Sequence, residues 1–447
     1  MSIHFSVHCR EASRFLGALR QLLAFVVFGV WFVAPVVADG TLSLDQALRL
    51  ARARSQTLVA QDAAVSAARE SAVAAGQLPD PTLTVGVNNL PVTGSERFSL
   101  TDDFMTMRSI GVMQEFTREG KRTARAARFE REAESAAAGR DLALANMERD
   151  TAVSWFDRYY QEEIMALLVR QRDETKLQVD AAEAAYRSSR GSQSDVIVAR
   201  AAVFMVEDRM AQNERQILAA KTMLARWIGK AAGDALGALP EIDAVSLRPA
   251  EIETQITHHP AIAVLAKQEQ VAIADADIAR ASKQTDWSLA LMYSQRGPSY
   301  SNMVSINVSI PLQWDQRNRQ DREVSAKLAM VEVARAQREE LQRAHLAEVR
   351  IMLQEWQSNR ERHIRFDEAL IPLAEQRTQA ALVAYRAGAG NLAAVLEARR
   401  SEVDIRIERV KLELDTARLW AQLNFLVASD DPMRTARRAQ RQEHRTG

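Results

Sequence analysis

Apolar residues recur at helical spacing along most of the chain, and a pair of short alternating runs interrupts that pattern twice. Ser43 caps the first helical stretch, and Leu44, Ala47, Leu48 and Ala51 follow on one face. The stretch is expected to cover residues 43–78, where Pro79-Asp80-Pro81 ends it. Over residues 82–88, Leu83, Val85 and Val87 alternate with Thr82, Thr84, Gly86 and Asn88. A loop of Asn, Pro, Gly, Ser and Asp residues leads to a second strand near 108–116, with Ile110, Val112 and Phe116 on one face. Residues 120–188 read as one helix, on the order of 100 Å long at ~1.5 Å per residue, a length that implies coiled-coil packing. The chain turns over residues 188–192, and residues 193–228 run back as a helix.

The plan then repeats. Residues 250–284 are helical with a break at His259-Pro260, and residues 287–293 alternate with Leu289, Leu291 and Tyr293 on one face. A loop over 295–302 precedes a strand at 304–312, where Val304, Ile306, Val308, Ile310 and Leu312 alternate with Ser305, Asn307 and Ser309. Residues 318–386 form the second long helix, kinked at Pro372. Gly388-Ala389-Gly390 turns the chain, and residues 392–427 return. Individual residues recur as well. Ala185-Tyr186-Arg187, Gly191, Val196 and Ala199-Arg200 reappear, at one constant offset, as Ala384-Tyr385-Arg386, Gly390, Val395 and Ala398-Arg399. The expected division is a signal over 1–38, a first repeat over 39–229 (strand pair 82–116, tip 186–195), a Gly-, Ala- and Pro-bearing joint over 230–249, a second repeat over 250–428 (strand pair 287–312, tip 385–397) and a basic tail over 429–447.

Composition narrows the class of function. The 447 residues are 47 % hydrophobic and 26 % charged, enough for a core, and the formal net charge of zero gives no reason to expect nucleic acid. Arg10, Arg14 and Arg20 precede an apolar run ending at Val36-Val37-Ala38, which predicts a secretory signal cleaved after Ala38; an uncleaved anchor is the alternative. No later run reaches the ~18 apolar residues of a spanning helix. The one cysteine, Cys9, lies within the signal, so disulfides, thiol chemistry and lipid attachment are not expected. The residues hold no His-Glu-x-x-His, no Gly-x-Ser-x-Gly and no phosphate loop, so neither an enzyme nor a cofactor is expected.

The strands carry the functional reading. One apolar face and one face of Ser, Thr, Asn and Gly suit a membrane β-strand between lipid and water, and equally a soluble hairpin packed on a helix. The signal favours the membrane. So do Phe116, Trp287 and Trp314 at the helix-proximal strand ends, and so does the lack of spare sequence to cover the hairpins. A sheet in hydrocarbon must close, which takes about eight strands or more. Four strands per chain therefore require copies: two give eight, three give twelve.

The duplicated helix–hairpin–helix plan, the Tyr-x(4)-Gly-x(4)-Val turn region and Gly120-Lys121-Arg122 after the second strand resemble the TolC-type outer-membrane efflux factors over residues 42–427. The resemblance implies an α+β membrane protein with an internal two-fold repeat. Three protomers contribute four strands each to a twelve-stranded β-barrel in the outer membrane, above a long α-helical coiled-coil barrel in the periplasm. It implies a passive duct that works with a periplasmic adaptor and an inner-membrane pump. The tips would close the periplasmic entrance, which makes Tyr186, Arg187, Gly191, Asp195, Tyr385, Arg386, Gly388, Gly390 and Glu397 the gate and adaptor-contact candidates. The family often rings the constriction with acids after each tip; Asp195 and Glu397 fit, whereas Ala394 stands where another acid is common. Asp195 is also a good helix-capping acid, Glu397 a solvated helix face, and Arg187 and Arg386 either ion-pairing or plain surface cations.

Segments such as Asn88-Asn89-Leu90-Pro91-Val92 and Phe104-Met105-Thr106-Met107-Arg108 resemble the heavy-metal branch, which implies metal cations as cargo. Met105, Met107 and Met113 suit Cu(I) through thioether sulfur, or serve as apolar barrel residues. His258-His259-Pro260 reads as a helix break or a zinc site, and no resident metal is expected. Drugs or secreted proteins as cargo, a soluble periplasmic coiled-coil adaptor and a secreted enzyme are the competing readings.

Overall fold

The computed structural model describes residues 41–245 and 256–426. The signal with Cys9, positions 246–255 and the basic tail lie outside the described residues.

The first helical stretch is two helices. Ser43 caps α1 (Leu44–Arg54): its hydroxyl accepts the Gln46 N–H at 3.2 Å, and Gln46 Oε1 accepts the Ser43 N–H at 2.9 Å. Ser55 breaks the expected run over 43–78. Its backbone is extended, and its hydroxyl accepts the Leu58 N–H to start α2 (Gln56–Ala75). The strands β1 (Thr82–Asn88) and β2 (Met107–Phe116) come next. Then α3 runs unbroken over Glu119–Arg187, and α4 over Gln193–Ile228.

In the second half, His259 caps α5 (Pro260–Ala281), so the helix break falls where the sequence sets it. Strand β3 (Trp287–Gln295) is longer than its alternating core. Strand β4 (Met303–Ser309) is shorter than expected. It stops before Ile310 and Leu312, because Pro311 has no N–H for a ladder. The second long helix is α6 (Gln320–Arg365), a π turn (Phe366–Leu370) and α7 (Ile371–Arg386), with Pro372 just past the wide turn. Proline lacks the interior N–H and crowds the carbonyl four residues back, and the π turn relieves both. The chain returns as α8 (Leu392–Asn424).

Helix α3 is the spine: α1, α2, α4, α5 and α8 all pack on it. The core lies near its middle. Trp155 and Phe156 are fully buried, Trp155 meets Phe156 edge-on at 5.5 Å, and Phe156 meets Trp420 of α8 edge-on at 5.9 Å. Both indoles are satisfied by extended backbone: Trp155 Nε1 donates to Leu42 O and Trp420 Nε1 to Ala244 O, each at 3.0 Å. Leu42 in turn pairs with the joint between the repeats, donating to Ala235 O and accepting from Gly237 N. The described part of that joint is thus a packed strap, with Leu236, Leu239 and Ile242 against the core and Arg158 donating to Ala232 O at 2.8 Å.

Trp155→Ala should cost about 3–5 kcal/mol through the cavity it leaves. Trp155→Phe should cost less, about 0.5–1.5 kcal/mol for the lost hydrogen bond, because the Leu42 carbonyl keeps the Gly237 N–H. Thermal unfolding of the purified variants in detergent, followed by helical circular dichroism, checks the order.

Candidate functional site

Two regions carry the candidate chemistry, the sheet and the two helix tips. The sheet is antiparallel in the order β1-β2-β3-β4, so among the described residues β1 and β4 are free edges. Its register sorts side chains by face. Leu83, Val112, Leu291 and Ile306 stand in one cross-strand row, and Val85, Ile110, Tyr293 and Val304 in the next. All eight are at least 45 % exposed, with Val85 at 71 % and Ile306 at 70 %, so a continuous apolar face meets no other part of the chain. The opposite face carries rows such as Thr84, Gly111, Met292 and Ser305. Phe116 stacks on Trp287 at 4.3 Å where the sheet meets the helices. At the other end the two hairpin loops dock. Arg296 donates to Phe104 O at 3.3 Å, and a Cβ on Gly297 would fall 1.8 Å from Thr101 O, so no larger residue fits there.

The junction between sheet and helices depends on a residue that sequence reasoning missed. Asp286, just before β3, accepts the Arg118 backbone N–H at 2.9 Å and the Lys121 ammonium at 2.7 Å, capping α3 across the repeats. Arg122 donates to Gly76 O at 3.2 Å, so Lys121 and Arg122 tie the strand–helix junctions together. An acid at a strand start carries no periodic signal of its own.

The tips share one backbone design. Arg190 N donates to Ala185 O and Ala389 N donates to Ala384 O, each at 2.9 Å. A Cβ on Gly191 would lie 3.0 Å from the Ala185 Cβ, and one on Gly390 3.2 Å from the Ala384 Cβ, so the recurring Ala and Gly are a close-contact pair. The left-handed position is Gly388 (φ +74°) in the second tip and Ser189 (φ +57°) in the first. The recurring Val196 and Ala199 are buried with Ala182 and Leu392, against which Tyr385 and Leu396 pack, so the two tips adjoin. The recurring arginines both form ion pairs but with different partners: Arg200 pairs with Glu183 of the preceding helix at 2.7 Å, whereas Arg399 pairs with Glu174 of α3, in the other repeat, and with Glu402 of its own helix at 2.7 Å. Burial pushes the Glu402 carboxyl up; the Arg399 and Thr378 hydrogen bonds and the Arg399 and Arg406 charges outweigh it and leave the carboxyl below its usual range.

The two candidate acids differ. Asp195 accepts the Ser192 backbone N–H at 2.9 Å and the Ser192 hydroxyl at 2.7 Å, completing the capping box of α4. The Ser192 hydroxyl and then its N–H hold the Asp195 carboxyl below the usual aspartate range. At the matching place in the second tip, Asn391 caps α8 by accepting the Ala394 N–H at 2.8 Å, and Ala394 returns nothing. Glu397 is exposed on α8 and has no hydrogen bond or ion pair among the described residues. Tyr186, Arg187 and Arg386 are exposed, and neither arginine has an ion pair among the described residues.

The histidines follow the helix-break reading. His259 Nδ1 accepts the Ala261 N–H at 3.1 Å, and its ring lies 4.5 Å from His345. Burial, with the His345 and Arg149 charges, pushes His259 down to about 4, so it caps α5 as a neutral ring. Among the described residues, no group of three His, Cys, Asp or Glu side chains is placed to hold a metal ion, and no helix is long and apolar enough to cross a membrane.

Residues 252–429 match the sequence family described as outer membrane efflux protein. The second repeat thus carries the sequence pattern of that family. Its fold matches the outer-membrane channel OprN (TM-score 0.72, 16 % identity, covering 86 % of this chain and 90 % of that one). It also matches the Vibrio cholerae outer membrane protein VceC (0.70, 19 %, covering 86 % and 95 %) and the Campylobacter jejuni CmeC outer membrane channel (0.72, 12 %, covering 88 % of each). No curated protein matches the sequence. The likeness to these channels is one of fold, over most of the length of each.

Ser192→Ala should destabilise the first tip by about 0.5–2 kcal/mol. Because the Asp195 pKa is lowered on folding, its cap is at full strength above the ordinary aspartate value of about 4 and fades as pH falls through the lowered one. The protection factor of the Asp195 amide, its exchange rate corrected for the intrinsic pH dependence, should therefore fall in the variant at neutral pH, and in the parent only in acid.

Proposed function

We propose that this chain is an outer-membrane efflux channel of the TolC type and not an enzyme, and that three copies join their sheets edge to edge, β4 of each beside β1 of the next. The twelve strands form a barrel, and the helices below form a tunnel that receives heavy-metal cations from an inner-membrane pump through a periplasmic adaptor. The observation that carries this reading is the unfinished sheet. It has a continuous exposed apolar face, a Ser-, Thr- and Asn-bearing face opposite, and two edges with no partner among the described residues. In hydrocarbon each unsatisfied edge group costs several kcal/mol, and closure removes that cost at both edges together.

In this reading the tips are the entrance and the adaptor contact. The exposed Tyr186, Arg187 and Arg386 are free to meet neighbouring copies or the adaptor, while Gly191, Gly388 and Gly390 hold the turn geometry. Glu397 is the acid free to act on passing ions, and Asp195 serves the tip's shape first. Metal cargo rests on the resemblance of the strand-one and loop segments to the heavy-metal branch.

Cysteines placed at Thr84 and Ser305, on the free edge strands, should cross-link three chains into a ring on oxidation; intrachain or monomeric product only would sink the closure. In planar bilayers, Glu397→Gln should move the reversal potential toward anions with the single-channel current retained. In cells lacking their own duct, the chain should restore tolerance to silver or copper, whereas restoration of drug tolerance alone would reassign the cargo.

A further inference from the structure

The strands hold four methionines, Met107, Met113, Met292 and Met303, and the register puts all four on the polar face. The apolar side chains of the other face are Leu, Val, Ile, Phe, Trp and Tyr, with no methionine among them. On the polar face every apolar side chain larger than alanine is a methionine. Filling space does not explain this segregation, because Leu or Val fills space as well and neither occurs on that face. A thioether differs from them in one respect: it is an uncharged soft ligand that water does not protonate.

Three of the four form a staircase. Met113 on β2 lies opposite Ala290; Met292 on β3 lies opposite Gly111 and Ser305; Met303 on β4 lies opposite Ser294. Each step moves one strand across and one row further from the helices, so consecutive members are diagonal neighbours. Such neighbours are ~7–8 Å apart at Cα, within reach of two long side chains converging on one ion. Gly111 stands between the first two, and a Cβ there would fall 3.2 Å from the Met292 Cβ and 2.9 Å from Leu291 O. The glycine thus keeps the space beside Met292 clear. Met113 (39 % exposed) and Met303 (44 % exposed) are open to an ion arriving from the polar side.

We propose that Met113, Met292 and Met303 form a thioether site for a soft monovalent cation, Cu(I) or Ag(I), on the water-facing wall of the sheet. The assignment rests on the reading that this face lines a metal-conducting barrel, and it names the class of cation. Hard divalent ions prefer oxygen or imidazole ligands and gain little from such a site. Two or three uncharged, exposed ligands hold an ion loosely, and conduction needs sites that also let go. Three copies around a barrel would repeat the staircase and offer successive sites.

The test is a Cu(I) titration of the purified protein in detergent, under reductant, against a chromophoric Cu(I) chelator, with X-ray absorption of the loaded sample. The expected result is binding with sulfur neighbours and an affinity flat between about pH 5 and 8, because thioethers, unlike imidazole or thiolate, release no proton on binding. The triple variant Met113→Leu, Met292→Leu, Met303→Leu should bind at least about tenfold more weakly while keeping its oligomer and its bilayer conductance; Met330→Leu, on a helix, should leave binding unchanged. A parent that binds no Cu(I), a triple variant that binds as well as the parent, or nitrogen and oxygen neighbours with affinity falling in acid overturns the site. A parent that forms neither oligomer nor conducting channel overturns the duct instead.

Discussion

The N–H and C=O groups along the free edges of β1 and β4 need partners that hydrocarbon does not supply. The same sheet exposes Val85 and Ile306 among rows of apolar side chains that no helix of the chain covers. In water such a surface with open edges would invite uncontrolled pairing. In a bilayer the surface is solvated by lipid and only the edges remain to be satisfied. In the proposed barrel, closure with further copies would satisfy both edges and give an inner wall of Ser, Thr, Asn, Gly and Met.

The helices hold that sheet through a few polar joints and one aromatic core. Asp286 joins the start of α3 to the start of β3, so the two repeats meet at the membrane end through a cap and an ion pair. Midway along α3, Trp155, Phe156 and Trp420 pack edge to face, and the joint between the repeats straps across them. Helices in proteins draw most of their stability from packing, and α3 has packing partners along its length. The π turn before Pro372 lets the second long helix pass a proline without losing its direction toward the tip.

Duplication has kept the backbone of the tips and let their chemistry diverge. Ala–Gly contacts, buried valines and ion-paired arginines are shared, although the arginines' partners differ. The left-handed residue is glycine in one copy and serine in the other, and the reciprocal cap of Asp195 has no counterpart at Ala394. The two tips are therefore alike in backbone and unlike in charge.

The sequence by itself determined what depends on local periodicity and sterics. Alternation marked β1 over Thr82–Asn88, the long apolar spacing marked α3, and Gly, Ser and Asn placed both turns. It also showed that four strands are too few, since that follows from counting them. Strand ends and helix breaks were less legible, because a serine at position 55 reads equally as a helical residue or a cap, and Ile310 alternates correctly although Pro311 stops the ladder. Only tertiary structure decided the rest. Which residues face Asp286, which of the two acids is spent on a cap, and that Met113, Met292 and Met303 align across three strands all depend on register and on contacts between residues far apart in the chain. Those contacts are set by packing in space, and no local pattern encodes them.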